Sequence, residues 1–189
     1  VIGQWMNEVP SNNDFPHAIW WAYDDKEKAF SPNPTAAIAG FILAYADKNS
    51  AVYQKGCEAA KRCHQQMLDT FPSTNMHDVM CYISLYQYCV QADVYDLFDM
   101  EKFKECLLTM VNGAICRETE KWGKEYVALP SHYIDSPKSM FYEGNEELVK
   151  SECDLIKTQQ LEDGSFEVTW QWWTEYKEFE ASKMMWKGV

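Results

Sequence analysis

Apolar residues recur along most of this chain at helical rather than strand spacing, and short polar turn sequences divide them into six segments. The first is expected to open at Asn33-Pro34, because Asn is a favoured N-cap and Pro at the first helical position gives up no needed hydrogen bond. Ile38, Phe41, Ile42 and Tyr45 follow at i, i+3, i+4 and i+7, which reads as one buried stripe. After Asp47-Lys48-Asn49, Ser50 is positioned to cap a second helix with Tyr53, Cys57, Ala60, Cys63 or His64, and Met67 inside and Lys55, Glu58, Lys61 and Gln65 in water. So short a linker makes the pair antiparallel neighbours.

Asn75 is the expected cap of a third helix through Val79, Ile83, Tyr86 and Val90, apolar almost all the way round and therefore read as an inner helix. Asp99 is expected to cap a fourth, one-sided helix carrying Phe103, Cys106, Leu107, Met110 and Ala114, so that inner and outer helices alternate. From Glu118 to Ser139 no period persists, and the segment reads as a long loop whose Trp122, Tyr126, His132 and Tyr133 pack onto the domain. A fifth helix is expected after Asn145, and a sixth from Tyr176 through Phe179 to Trp186, beyond the turn Glu162-Asp163-Gly164-Ser165. The fold class is all-α, built of antiparallel helix hairpins in one domain spanning 1–189. The start at Val1 without Met and the end inside a helical pattern fit a piece of a longer chain.

Two local motifs narrow the fold. In Gln160-Leu161-Glu162-Asp163-Gly164-Ser165-Phe166 a helix ends in Gln, Gly164 permits positive φ, and an aromatic ring can fold back on the helix end. This corner resembles the repeat of squalene and hopene cyclases and protein prenyltransferases, and Asn33-Pro34-Thr35-Ala36-Ala37 is similar to the start of an inner helix in that superfamily. The whole chain also resembles bacterial proteins known by this repeat. The resemblance implies a partial α/α toroid. An internal echo between Trp20-Trp21-Ala22-Tyr23 and Trp172-Trp173-Thr174 with Tyr176 supports repetition.

Composition then excludes several partners. With a formal charge of −12 and a pI near 4.7, nucleic acid and anionic membrane surfaces are repelled, and two arginines, Arg62 and Arg117, leave little for diphosphate recognition. No apolar run is long enough to span a membrane. Seven cysteines without a C-x-x-C pair read as reduced core thiols, which points to a cytoplasmic address.

The motifs that the resemblance would make catalytic are incomplete. Ala22-Tyr23-Asp24-Asp25 lacks the first Asp of D-x-D-D, leaving Asp24 as a candidate acid in what reads as a solvated loop. Asp24-Asp25-Lys26-Glu27-Lys28 fails the magnesium motif at its fifth position. Asp78-Val79-Met80-Cys81 is one residue too long for the zinc-binding D-x-C, and although His77 and Cys81 share a helix face, the pair reads first as a core His beside a core Cys. No metal and no cofactor is expected. The unusual feature is aromatic: Trp20, Trp21, Trp170, Trp172 and Trp173, with His17 and His77, are the candidate ligand-binding residues, the alternative being rings that wedge helix corners together. The leading expectation is an aromatic-lined concavity for an apolar, isoprenoid-type small molecule. The alternatives are a carbohydrate-active α/α enzyme and a protein-interaction domain that completes a ring with a partner, including a homo-oligomer.

Overall fold

The computed structural model describes residues 3–26, 29–168, 170 and 176–186, apart from the side chains of Met184 and Trp186. Among the described residues are six α-helices, four short 3-10 turns and no strand: α1 (Pro32–Tyr45), α2 (Ala51–Thr70), α3 (Met76–Gln91), α4 (Met100–Ala114), α5 (Glu146–Gln159) and α6 (Lys177–Trp186). None is long and apolar enough to cross a membrane. Two compact units are formed, Val1–Met6 with Ala29–Val149, and Asn7–Lys28 with Lys150–Val189.

In the first unit, capping chemistry sets where the helices begin. Ser50 Oγ accepts from Tyr53 N, Asn75 Oδ1 from His77 N and Asp78 N, and Asp99 Oδ1 from Lys102 N. Each such cap is worth about 1 kcal/mol. At α1 the side-chain cap is Ser31, while Asn33 keeps a non-helical backbone (φ −95°, ψ 114°), so the regular turns start at Pro34. Thr35, fully buried, exchanges hydrogen bonds with both backbone groups of Trp5 and ties the chain's first residues to α1.

Helices α1 and α2 form an antiparallel hairpin, with Gly56 of α2 against Ile42 and Ala39 of α1. α3 and α4 form a second, with Thr74 beside Gly113 at one end and Tyr86 edge-on to Phe103 (5.5 Å) at the other. α1 and α3 lie side by side and parallel: Cys81 donates to Asn33 near their starts, and Gln91 donates to Tyr45 Oη near their ends. The core beneath them is made of Ala36, Ala39 and Leu43 from α1, Ala60, Cys63 and Met67 from α2, Val79, Tyr82 and Leu85 from α3, and Phe103, Leu107 and Met110 from α4. Trp122 and Tyr133, from the segment after α4, are buried, and Trp122 Nε1 donates to Cys116 O.

Only half of the stripe expected on α1 turns inward: Ile38 and Ile42 are half-buried, Ile42 against Gly56 of α2. Phe41 and Tyr45 are 52% and 60% exposed, whereas Thr35, Ala36, Ala39, Gly40 and Leu43 are buried. The reason is contact distance. A Cβ on Gly40 would stand 2.9 Å from Leu85 Cα, and one on Gly56 would stand 2.6 Å from Ile42 Cγ2, so α3 closes on Gly40 of α1 while Ile42 of α1 closes on Gly56 of α2. A helix that is apolar on every side carries no periodic signal for its buried face, and here close backbone approach decides it.

The second unit contains two 3-10 turns, Pro10–Asp14 and Ile19–Trp21, most of α5, the corner after it, and α6. The corner forms as its residues suggest: Gly164 adopts φ +85°, Gln160 Nε2 donates to Gly164 O, and Asp163 Oδ1 accepts from both Ser165 N and Ser165 Oγ. Leu161 and Ser165 close it through the backbone, with Leu161 N donating to Ser165 O at 2.8 Å.

Candidate functional site

An uncharged surface runs along α1 and α3. From Ala29 to Ala46, and again from Val79 to Ala92, the chain has no Asp, Glu, Lys or Arg, although a quarter of all residues are charged. Three rings gather at one end of this surface. Phe41 and Tyr45 lie 4.8 Å apart, and Tyr88 of α3 meets them edge-on at 6.1 and 6.0 Å. These rings stay outside because the interior is already filled by small residues that bring the backbones together.

The stripe of α3 that carries Tyr88 also carries Ser84, Cys81 and His77, spaced at helical intervals back to the first turn. At that end His77 Nε2 shares a 2.6 Å hydrogen bond with Tyr126 Oη, which reaches it from the long segment after α4. His77 is exposed, not a core residue, because it stands in the first turn on the outward stripe. Cys81 donates its S–H to Asn33 Oδ1, and burial pushes its pKa up to about 11, so it remains a thiol at neutral pH and is not an activated nucleophile. Burial also raises the Asp78 carboxyl above the usual carboxylate range, with His77 opposing the shift. The surface therefore pairs a hydrogen-bonding end (Asn33, His77, Tyr126) with an aromatic end (Phe41, Tyr45, Tyr88). The stripe from His77 to Gln91 is about 21 Å long at the helical rise.

In the second unit, His17 and Trp21 line one open hollow of about 310 Å³ with Asn7, Ser11, Asn12 and Phe15. Its walls are fastened by amides. Asn12 Nδ2 donates to both Asn7 O and Trp21 O, and Asn13 exchanges hydrogen bonds with the backbone of Tyr23 in both directions at 2.9 Å. His17 Nδ1 lies 2.6 Å from Phe15 O, a carbonyl that can only accept, so Nδ1 carries the proton. Trp20 packs edge-on against Trp21 at 6.4 Å, His17 meets the ring of Tyr176 at 6.1 Å, and Trp170 packs on Phe179 at 5.4 Å. Trp172 and Trp173 lie outside the described residues.

Asp24 is exposed. Its carboxylate accepts from Lys26 N and pairs with Lys26 Nζ at 3.9 Å. Among the described residues no three His, Cys, Asp or Glu side chains converge as metal ligands would. The sequence reading placed Phe41 and Tyr45 in the core and did not single out Tyr88. The absence of charge along both segments was the signal that separates this face from the rest. The chain matches no protein-family model, no curated protein and no solved structure.

Proposed function

We propose that this chain is a binding module of the prenyltransferase and squalene-cyclase-repeat type, taking an elongated apolar ligand of isoprenoid character along α1 and α3 without an intact catalytic motif. The observation that carries this reading is the ring cluster of Phe41, Tyr45 and Tyr88 on two segments, 29–46 and 79–92, that carry no Asp, Glu, Lys or Arg. Phe41 and Tyr45 are exposed and Tyr88 is half-buried beside them, and rings grouped in this way mark interaction sites rather than ordinary solvent surface. A hydrocarbon chain covers the rings, and a terminal hydroxyl reaches the hydrogen-bonding pair of His77 and Tyr126.

The toroid reading draws support from the order of packing. Two antiparallel hairpins set their first helices side by side and parallel, which is the step that a ring of hairpins repeats. In such a ring α1 and α3 are inner helices, and their uncharged face lines the concavity. The corner at Gln160–Phe166 adds local support through its side-chain-locked turn.

Titration calorimetry with farnesol tests the proposal. Saturable binding that Tyr88→Ala weakens by about tenfold supports it, since loss of one stacked ring is worth on the order of 1 kcal/mol or more. Binding that is absent, or indifferent to both Tyr88→Ala and Phe41→Ala, contradicts it.

A further inference from the structure

The hollow in the second unit differs in chemistry from the α1/α3 surface, and we infer that it is a separate binding site for an uncharged saccharide. Three of the six residues named above bring hydrogen-bonding groups without charge: Asn7, Ser11 and Asn12. Trp21 and Phe15 bring aromatic faces, with Phe15 68% exposed and Trp21 41% exposed. Among the described residues no Lys, Arg, Asp or Glu lines it, and His17 is the one titratable side chain, so a strongly charged ligand meets little counter-charge there.

A pyranose ring has the matching two-sided character. One face presents C–H groups, which settle against the electron-rich face of an indole or phenyl ring, and the rim presents hydroxyls that both donate and accept. An isoprenoid chain would cover the amide and hydroxyl groups without replacing their bonds to water, a loss for each group buried. The volume, about 310 Å³, lies at the small end of ligand pockets, and the open mouth suits one or two rings of a longer glycan.

The site is also preorganised. Asn12 holds both walls through two hydrogen bonds from one amide nitrogen, and Asn13 clamps the segment beyond Trp21 through Tyr23. The Trp20–Trp21 edge contact further restricts the indole that would form the platform. Little ordering remains to be done on binding, which is the condition under which a shallow site gains affinity.

The test is calorimetry of the whole chain against three neutral trisaccharides, maltotriose, cellotriose and chitotriose, at millimolar concentration. Saturable binding of at least one is expected, about tenfold weaker in Trp21→Ala, largely retained in Trp21→Phe, and several-fold weaker in Ser11→Ala. Both positions are exposed, so thermal melts should match the parent protein. Farnesol affinity should be unchanged in Trp21→Ala, which separates this site from the α1/α3 surface. No saturable binding of any of the three sugars, or sugar binding that survives both Trp21→Ala and Ser11→Ala intact, overturns the inference.

Discussion

Gly40 of α1 meets the backbone of Leu85 on α3 so closely that a side-chain carbon there would lie 2.9 Å from Leu85 Cα and 3.0 Å from Tyr88 Cδ2. Backbone cannot move aside as a flexible side chain can. Gly40→Ala should therefore cost about 1–3 kcal/mol, the usual penalty for overpacking, despite the better helix propensity of Ala. Chemical denaturation checks it. An unchanged or raised midpoint would show that α1 and α3 are not held at this distance.

Asn145 lies between α4 and α5 with only 1% of its surface exposed, and its amide donates to Asn112 Oδ1 and Phe141 O while accepting from Arg117 Nη2. Removing that amide strands three partners at once. Asn145→Ala is expected to destabilise the first unit by about 2 kcal/mol or more, and a matching loss in Arg117→Ala that does not add to it would show that the residues act together. Full additivity would argue against a shared network.

How much of this was legible in the sequence depends on the range of the interaction. The caps at Ser50, Asn75 and Asp99 and the corner at Gly164 were readable because each is made within four residues, by groups whose donors and acceptors are fixed by residue type. The burial of α1 was not readable, since Phe41 and Tyr45 satisfy the same periodicity as Ala36 and Leu43, and only Leu85 and Ile42 decide which face closes. The bond between His77 and Tyr126 spans 49 positions and the Asn112–Asn145 contact 33, so neither leaves a local pattern. His17 and Trp21 were legible as neighbours because they sit on adjoining turns of one short segment.

The thiols give a simple chemical check. All seven cysteines are free; Cys63 and Cys89 are buried, with burial pushing each pKa up to about 12, while Cys153 is exposed. At pH 8 in native buffer a thiol reagent should modify Cys153 rapidly and leave Cys63, Cys89 and Cys106 protected, and denaturant should then expose all seven thiols. Prompt native reaction at Cys63 or Cys89 would place α2 or α3 differently.

His64 stacks on Phe98 at 4.6 Å and meets Phe103 edge-on, and its Nε2 has no hydrogen-bond partner. Burial lowers its pKa, with Asp99 opposing, so the folded chain takes up this proton less readily than the unfolded chain. The unfolded state then binds more protons below about pH 6.5, and stability falls as pH drops from there towards the depressed folded value. His64→Phe keeps the stack and removes the unpaired nitrogen. It should raise stability at neutral pH by about 1 kcal/mol and flatten the decline below pH 6.5; an unaltered pH profile would assign the decline to other groups.

The measurement that bears most directly on the account as a whole is photo-crosslinking with a benzophenone analogue of farnesol, followed by peptide mapping of the labelled protein. Labelling concentrated on the peptides that carry Phe41, Tyr45 and Tyr88, and competed by unlabelled farnesol, is the expected result. Competable labelling centred on Trp21 or on α6, with α1 and α3 clear, would contradict it.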